Sequence, residues 1–420
     1  MAGLFLVGVF LLLFSMSPGS IANQGYNGEN LAVGNQVVGN LIALVSGKPS
    51  VAIDTPRHGW LGILFDLPFV LVSHAFAGPS VEASDAILSI QPVIFTSLLI
   101  LVVFLWVRRL TASHTWAFLL ALSCGFSTLL WPYSYIGLET TQSLALLLAA
   151  YLAVRRETQR TWMESLLFAI LCGIAASVKI NSIVLVPAIA FLIVVYFRRG
   201  RSTLFDDFRK DWQRLLVVVG VASSIFILNA LAKMSSAVNE SGIGANHLLS
   251  RLVDSPLVFL LQAYSFLASP NKGLIVFAPV VVLCLAGLPR AFRAEPALVI
   301  FTLLVLAGLI GVLSLSHFWA EESWGPRYLH AAVPLLVVCL AASKGRRPFS
   351  WRRAVPVLAA SIIGVPVAFL GSLFYYGSLH GAMIEAKQST LEAMQYDIHW
   401  NHIRFDYELL HVWLSGAVSS

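Results

Sequence analysis

The sequence predicts an all-α, polytopic membrane protein of about eleven transmembrane helices, and three observations carry that prediction. Hydrophobic residues make up 58% of the 420 and charged residues only 11%, a balance far to the apolar side of water-soluble domains. Several apolar runs reach about 20 residues, roughly what a helix needs to cross the hydrocarbon core of a bilayer. The runs are continuously apolar, as in Leu98 to Val107 and Ala297 to Leu315, whereas the strands of a membrane barrel alternate apolar with polar residues.

In chain order the predicted spans lie at about 3 to 16, 87 to 107, 115 to 131, 140 to 154, 163 to 178, 183 to 197, 214 to 233, 273 to 289, 296 to 315, 329 to 343 and 354 to 375. Met1 to Met16 has no basic stretch ahead of its apolar run and further spans follow, so it reads as a first transmembrane helix rather than a signal peptide. The run from Trp60 to Phe76 carries Asp66 and Pro68 and is entered through Arg57 and His58. It suits a helix lying in the membrane interface.

Charge parity supports that placement. With 60 to 76 left out, the basic clusters after the second, fourth, sixth, eighth and tenth spans all fall on one side, 18 of the 27 Lys and Arg in total, and 15 of the 21 acids fall on the other. Basic loops mark the cytoplasmic side. The same positions account for the net charge of +6 through topology and anionic lipid, so nucleic acid is not an expected partner. The outer loops are 17 to 86, 132 to 139, 234 to 272 and 316 to 328, with a tail from 376 to 420. Leu31, Val38, Leu41 and Leu44 recur at helical spacing in the first of them, a second interfacial helix. The chain thus divides into a transmembrane domain over 1–375, with its juxtamembrane helices in the loop 17–86, and a short outward-facing amphipathic tail over 376–420.

The four cysteines, Cys124, Cys172, Cys284 and Cys339, all sit in apolar spans without paired spacing, which suggests neither a disulfide framework nor a zinc site. The inner loops carry no Gly-rich phosphate loop. Function is therefore sought on the outer face, where polar residues stand beside spans. His317-Phe-Trp-Ala-Glu-Glu-Ser-Trp-Gly-Pro-Arg-Tyr328 gathers Glu321, Glu322, Arg327, Trp324 and Tyr328 between two spans. A guanidinium at a bilayer edge offers a planar fork of donors that matches phosphate oxygens. The competing reading is an aromatic belt with Arg327 snorkelling or paired to Glu321 or Glu322.

Lys272 in Ser269-Pro-Asn-Lys-Gly273 and Lys179 in Ser177-Val-Lys-Ile-Asn181 would face the same side. Together with Arg327 they would form an anion cradle, while each alone is more often a headgroup anchor. Glu139 lies at the outer end of a span in Trp131-Pro-Tyr-Ser-Tyr-Ile-Gly-Leu-Glu139, near Tyr133, and the cost of carrying a carboxylate into a span turns it toward the bundle interior. Glu29 and Asp54 are further carboxylates of the first outer loop. His399 and His402 stand about one helical turn apart, but the interleaved Trp400, Phe405, Tyr407 and Trp413 describe an interfacial helix better than a zinc site.

Taken together, several of these phrases resemble the multi-spanning glycosyltransferases of the GT-C class, in particular the bacterial family of protein O-mannosyltransferase-like and aminoarabinose-transferase-like enzymes. Ser269-Pro-Asn-Lys-Gly-Leu-Ile-Val-Phe-Ala-Pro279 is similar to a lysine-glycine-leucine stretch of that group, and Trp324-Gly-Pro-Arg-Tyr-Leu329 to its glycine-proline-arginine-tyrosine signature. Trp131-Pro-Tyr-Ser-Tyr135 with Glu139, and Ala175 to Pro187 around Lys179, resemble further phrases. The resemblance implies transfer of a sugar from a polyprenyl-phosphate donor, with inversion at the anomeric carbon, to a lipid or glycan acceptor. The setting it implies is the outer face of a bacterial cytoplasmic membrane, among membrane lipids.

The resemblance also implies roles. Glu29 would be the general base, with Glu139 and Asp54 orienting groups at the acceptor. Lys179, Lys272 and Arg327 would bind the donor phosphate, and Tyr133, Glu321, Glu322, Trp324 and Tyr328 would line the substrate pocket. No cofactor is expected, and a metal requirement is left open. Relatives usually place an aspartate where this loop has Glu29. That departure keeps a noncatalytic relative as one alternative, and a transporter or flippase of a lipid-linked anionic headgroup is another.

Overall fold

The computed structural model describes residues 25–46, 60–77, 90–134, 137–155, 160–178, 180–198, 211–237, 256–315, 324–373 and 401–418, with residues 8, 53, 87 and 209 singly. Every regular element among them is helical, as the continuously apolar runs require. Two helices precede the bundle, α1 (Gly25–Val45) and α2 (Trp60–Ala77). They pack closely where Gly34 meets Val70, with a Cβ on Gly34 reaching only 3.1 Å from Val70 Cγ2. His74 Nε2 lies 2.9 Å from Asn35 Oδ1 across the same contact.

The bundle opens with a hairpin of α3 (Ile90–Thr111) and α4 (His114–Phe126). Ala112 takes a left-handed φ of 55° at the reversal, and Ser113 caps α4 by accepting from the Trp116 amide at 3.3 Å, which satisfies one of the donors a helix start leaves open. A second hairpin joins α5 (Gly137–Val154) to α6 (Trp162–Ser177). There Thr161 and Glu164 cap each other's backbone amides, and Glu164 also pairs with Arg155. A 3₁₀ turn, Ile180–Leu185, leads into α7 (Val186–Phe197), and α8 (Trp212–Ala237) packs along α6. Asn229 of α8 ties two further elements: its Nδ2 donates to the Ser177 carbonyl at 2.7 Å, and its Oδ1 accepts from the Leu61 amide of α2 at 3.1 Å.

The second half comprises α9 (Pro256–Ala268), the single turn α10 (Leu274–Phe277), α11 (Val280–Ala294), α12 (Pro296–Leu313), α13 (Ala332–Lys344), α14 (Trp351–Leu373) and α15 (His402–Val418). Helix α13 is the axis of the core: every residue from Ala332 to Ala342 is buried, against α11, α3 and α12. Other helices turn apolar side chains outward, as Leu228 and Leu231 of α8 and Ile362 and Ile363 of α14 do, and hydrocarbon is the medium that suits such faces.

Among the described residues, five helices are long and apolar enough to cross a membrane: α3, α5, residues 212–231 of α8, α12 and α14. The expected count of about eleven goes beyond these. Several expected spans are shorter helices continued by irregular chain. Helix α4 stops at Phe126 after 13 residues, about 20 Å of rise, and turns carry the chain on to Ser134. The expected span at 273–289 is divided, because Pro279 follows α10 and α11 begins only at Val280. In the expected outer loop 234–272, residues 256–268 form the apolar helix α9. The first span lies outside the described residues except for Gly8, which is buried.

Candidate functional site

At one end of α5 the chain assembles a buried polar site. Glu139 stands in the first turn of α5, where the exposed amides of a helix start favour a carboxylate. Arg327 stands in the 3₁₀ turn Arg327–Leu329 ahead of α13. Its Nε donates to Glu139 Oε1 at 2.6 Å, and both side chains are only 2% exposed. A charge-assisted hydrogen bond this short fixes the plane of the guanidinium. Taking both charges out of water is costly, and that cost is tolerated only where geometry compensates.

The turn bearing Arg327 is shaped by its neighbours. Gly325 has φ +55°, and a Cβ there would meet Phe277 Cγ at 2.7 Å, so a side chain is excluded both by conformation and by space. The Arg327 amide reaches back to the Gly325 carbonyl at 3.1 Å. Trp324 is buried edge-to-face on Phe277, centroids 5.3 Å apart, and Gly371 of α14 leaves it room, since a Cβ there would lie 2.4 Å from Trp324 Cε2. The Trp324 carbonyl accepts from Tyr133 Oη at 2.5 Å. The glycine and the aromatics of Trp324-Gly-Pro-Arg-Tyr328 thus have packing reasons, and their joint result is the position of one guanidinium. Half-buried Tyr328 places its ring 5.9 Å from Arg327 Cζ.

Phe277 links this turn to the second predicted cation. Lys272, 1% exposed, belongs to a tight turn in which its amide donates to Ser269 Oγ at 2.9 Å and the Gly273 amide to the Ser269 carbonyl at 2.8 Å. Gly273 is required there, because a Cβ would come within 2.4 Å of that carbonyl oxygen. The tail closes over the same turn: Asn401 Nδ2 donates to the Pro270 carbonyl at 2.7 Å and to Asn271 Oδ1 at 3.0 Å. Lysine and arginine are seldom buried in a bundle of this composition without a role.

Of the predicted residues, Glu139, Arg327, Tyr133, Trp324 and Tyr328 come together, and Lys272 lies five positions before Phe277, which packs on Trp324. Arg327 pairs with Glu139. Glu321 and Glu322, with Asp54 and Lys179, lie outside the described residues, as does His399 of the tail. Glu29 lies in α1, whose backbone is described there without its side chain.

Three residues of the site were not singled out from the sequence as members of it. Asp66 is 8% exposed and Gln91 1%. They converge on Gly137 at the head of α5, where a Cβ would lie 2.9 Å from Gln91 Oε1 and 3.9 Å from Asp66 Oδ1. His330, buried one turn after Arg327, sets Nδ1 2.6 Å from Ser143 Oγ and its ring edge-on to Tyr133. The acid within the apolar run 60–76 was the legible signal for Asp66. Helix α2 buries it.

No protein-family model matches the sequence, and no curated protein matches it. Two solved structures are similar to this chain. One is an archaeal oligosaccharyltransferase, AglB from Archaeoglobus fulgidus, in complex with an inhibitory peptide and a dolichol-phosphate, at 14% identity and a TM-score of 0.49, with 95% of this chain covered. The chain spans 59% of that protein's length. The other is ArnT from Cupriavidus metallidurans bound to undecaprenyl phosphate, at 14% identity and a TM-score of 0.47, covering 97% of this chain and 75% of that one. Both are glycosyltransferases of the GT-C type.

Proposed function

We propose that this chain is a glycosyltransferase that moves a sugar from a polyprenyl-phosphate donor to a lipid or glycan acceptor at the outer face of a bacterial cytoplasmic membrane, with inversion. The observation that carries the reading is Arg327, buried to 2% exposure and aimed by Glu139, with buried Lys272 on the neighbouring turn. In the transfer, an acceptor hydroxyl forms a bond to the anomeric carbon as the bond from that carbon to the phosphate oxygen breaks. The electron pair leaves with the phosphate, and the hydroxyl proton passes to a carboxylate. The charge growing on the departing phosphate sets the barrier, and cations held in place beforehand lower it without reorganising.

In this scheme Arg327 and Lys272, with Lys179, serve the phosphate. Glu29 is the base, and Asp54 orients the acceptor. Glu139 becomes a positioning residue that acts through Arg327, because its carboxylate is engaged by the guanidinium. Tyr133, Trp324 and Tyr328, with Glu321 and Glu322, are assigned to the substrate pocket.

The test is transfer from a radiolabelled polyprenyl-phosphate sugar in proteoliposomes. Removing one partner of a buried ion pair strands the other charge, so Arg327→Lys, which keeps the charge but loses the planar fork, is the informative replacement. A loss of about a hundredfold in turnover, by analogy with removal of one donor to a developing anion, is expected from protein that remains monodisperse. Unchanged transfer by Arg327→Lys, or its absence in the parent chain with a panel of polyprenyl-phosphate sugars, overturns the reading.

A further inference from the structure

The opposite end of α5 carries a second cationic site, in the half of the molecule that the transfer scheme does not use. A cavity of about 350 Å³ is lined by Arg109, Arg155 and Arg346, with Glu295, Trp106 and Tyr151 among its walls. These residues come from four separate chain reversals: Arg109 from the last turn of α3, Arg155 just beyond α5, Glu295 between α11 and α12, and Arg346 just beyond α13. Gly345, in the left-handed region at φ +60°, ends α13 and lets the chain turn before Arg346.

A basic loop at a cytoplasmic surface is ordinary and needs no ligand. Here three arginines from three chain reversals line one half-open cavity with Glu295, and a second carboxylate, Glu164, sits on Arg155. The site is also partly built in advance. Arg155 is held by Glu164, itself fixed by the capping box with Thr161, and its side chain is only 14% exposed. Arg109 has its guanidinium carbon 5.8 Å from the centre of the Tyr151 ring, and that ring is braced edge-on by Trp106 at 5.5 Å. Like charges gathered in a cavity repel unless an anion joins them. A guanidinium fork matches the oxygens of a carboxylate or a phosphate, several forks around one volume suit the several oxygens of a phosphate, and an aromatic wall suits an uncharged remainder.

We propose that this cavity binds a phosphate ester on the face opposite the Glu139–Arg327 site, a site that stands whether or not the transfer reading holds. The phosphate has two sources, an anionic phospholipid headgroup of that leaflet or a soluble phosphorylated metabolite.

The experiment compares two double variants of the full chain that remove the same charge from exposed residues. Arg109→Gln with Arg346→Gln empties the cavity of two cations, and Arg293→Gln with Arg347→Gln removes two that do not line it. Binding is measured by native mass spectrometry with phosphatidylglycerol against phosphatidylcholine, and by thermal shift with glycerol 3-phosphate. About a tenfold or greater loss in the cavity variant alone supports the site, given that charge-assisted pairs to phosphate are among the stronger hydrogen bonds. Loss confined to phosphatidylglycerol assigns a lipid source, and loss confined to glycerol 3-phosphate a soluble one. Equal loss in both variants, or no loss in either, overturns the proposal, since surface charge alone would then account for any binding.

Discussion

Gly325 separates two contributions that are usually entangled at a glycine. A left-handed φ costs a side-chain-bearing residue roughly 1–2 kcal/mol, and a clash with packed atoms adds to it. Gly325 faces both, with φ +55° and Phe277 Cγ 2.7 Å from the position of a Cβ; Gly345 has φ +60° and nothing within 4 Å. Gly345→Ala therefore reports conformation alone, and Gly325→Ala reports conformation plus displacement of a buried phenylalanine that supports Trp324. Thermal unfolding in detergent is expected to place Gly325→Ala clearly below Gly345→Ala, and transfer activity to fall only in the former, because Arg327 follows two residues later. Equal melting temperatures would mean that the Gly325 turn is not held by Phe277. The residues of this turn were legible in sequence as a phrase. Their partners were not, since Arg327 and Glu139 are 188 positions apart and local pattern carries no information on which acid a distant guanidinium will meet.

Helix α15 is amphipathic in an uneven way. Ile403 and Leu410 lean on the main core and Tyr407 is 62% exposed, yet Asp406 is 1% exposed, and its Oδ2 has no hydrogen-bond partner among the described residues. Burial alone pushes its carboxyl from an ordinary 3.8 up to about 8, because the charged form loses its hydration. A carboxyl whose pKa is higher when docked than when free favours docking fully below the free value, near pH 4. That advantage is lost as pH rises through the docked value near 8. Amide hydrogen exchange over residues 401–418, corrected for the intrinsic pH dependence, is thus expected to show weaker protection at pH 9 than at pH 6. Asp406→Asn should hold protection level across that range. A parent chain whose protection does not change with pH would show that Asp406 ionises without undocking the helix. An amphipathic tail was legible from its interleaved aromatics, as helices elsewhere were from continuous apolar runs. The break before α11 was only half legible, because a proline inside a hydrophobic run marks a change of backbone without saying whether the helix kinks or stops. The helix α9 was hidden by its place in a stretch assigned to an outer loop, although Leu257 to Leu261 is an apolar run.

Across the whole molecule, charge asymmetry and fold agree in a way that neither implies by itself. Arg109, Arg155 and Arg346 come from three clusters that the sequence places on one side of the membrane, and they line one cavity. Glu139, Arg327 and Tyr133 come from loops assigned to the other side, and they too meet. The orientation of α2 decides on which side, relative to the later loops, the chain before it lies. All four native cysteines are buried, so a membrane-impermeant maleimide applied to intact cells has a quiet background against which single introduced cysteines can be read. Tyr407→Cys in the tail is expected to label from outside, and Arg347→Cys only after permeabilisation. The two ends of α2 decide the rest: Phe76 is 85% exposed and Trp60 37%, and a helix lying in the outer interface brings both Trp60→Cys and Phe76→Cys within reach of the external reagent. If α2 instead crosses, the two ends label from opposite sides. The residues before α2, Glu29 among them, would then lie on the side of the basic clusters and opposite the Glu139–Arg327 site, and the role of Glu29 as the base would have to be given up.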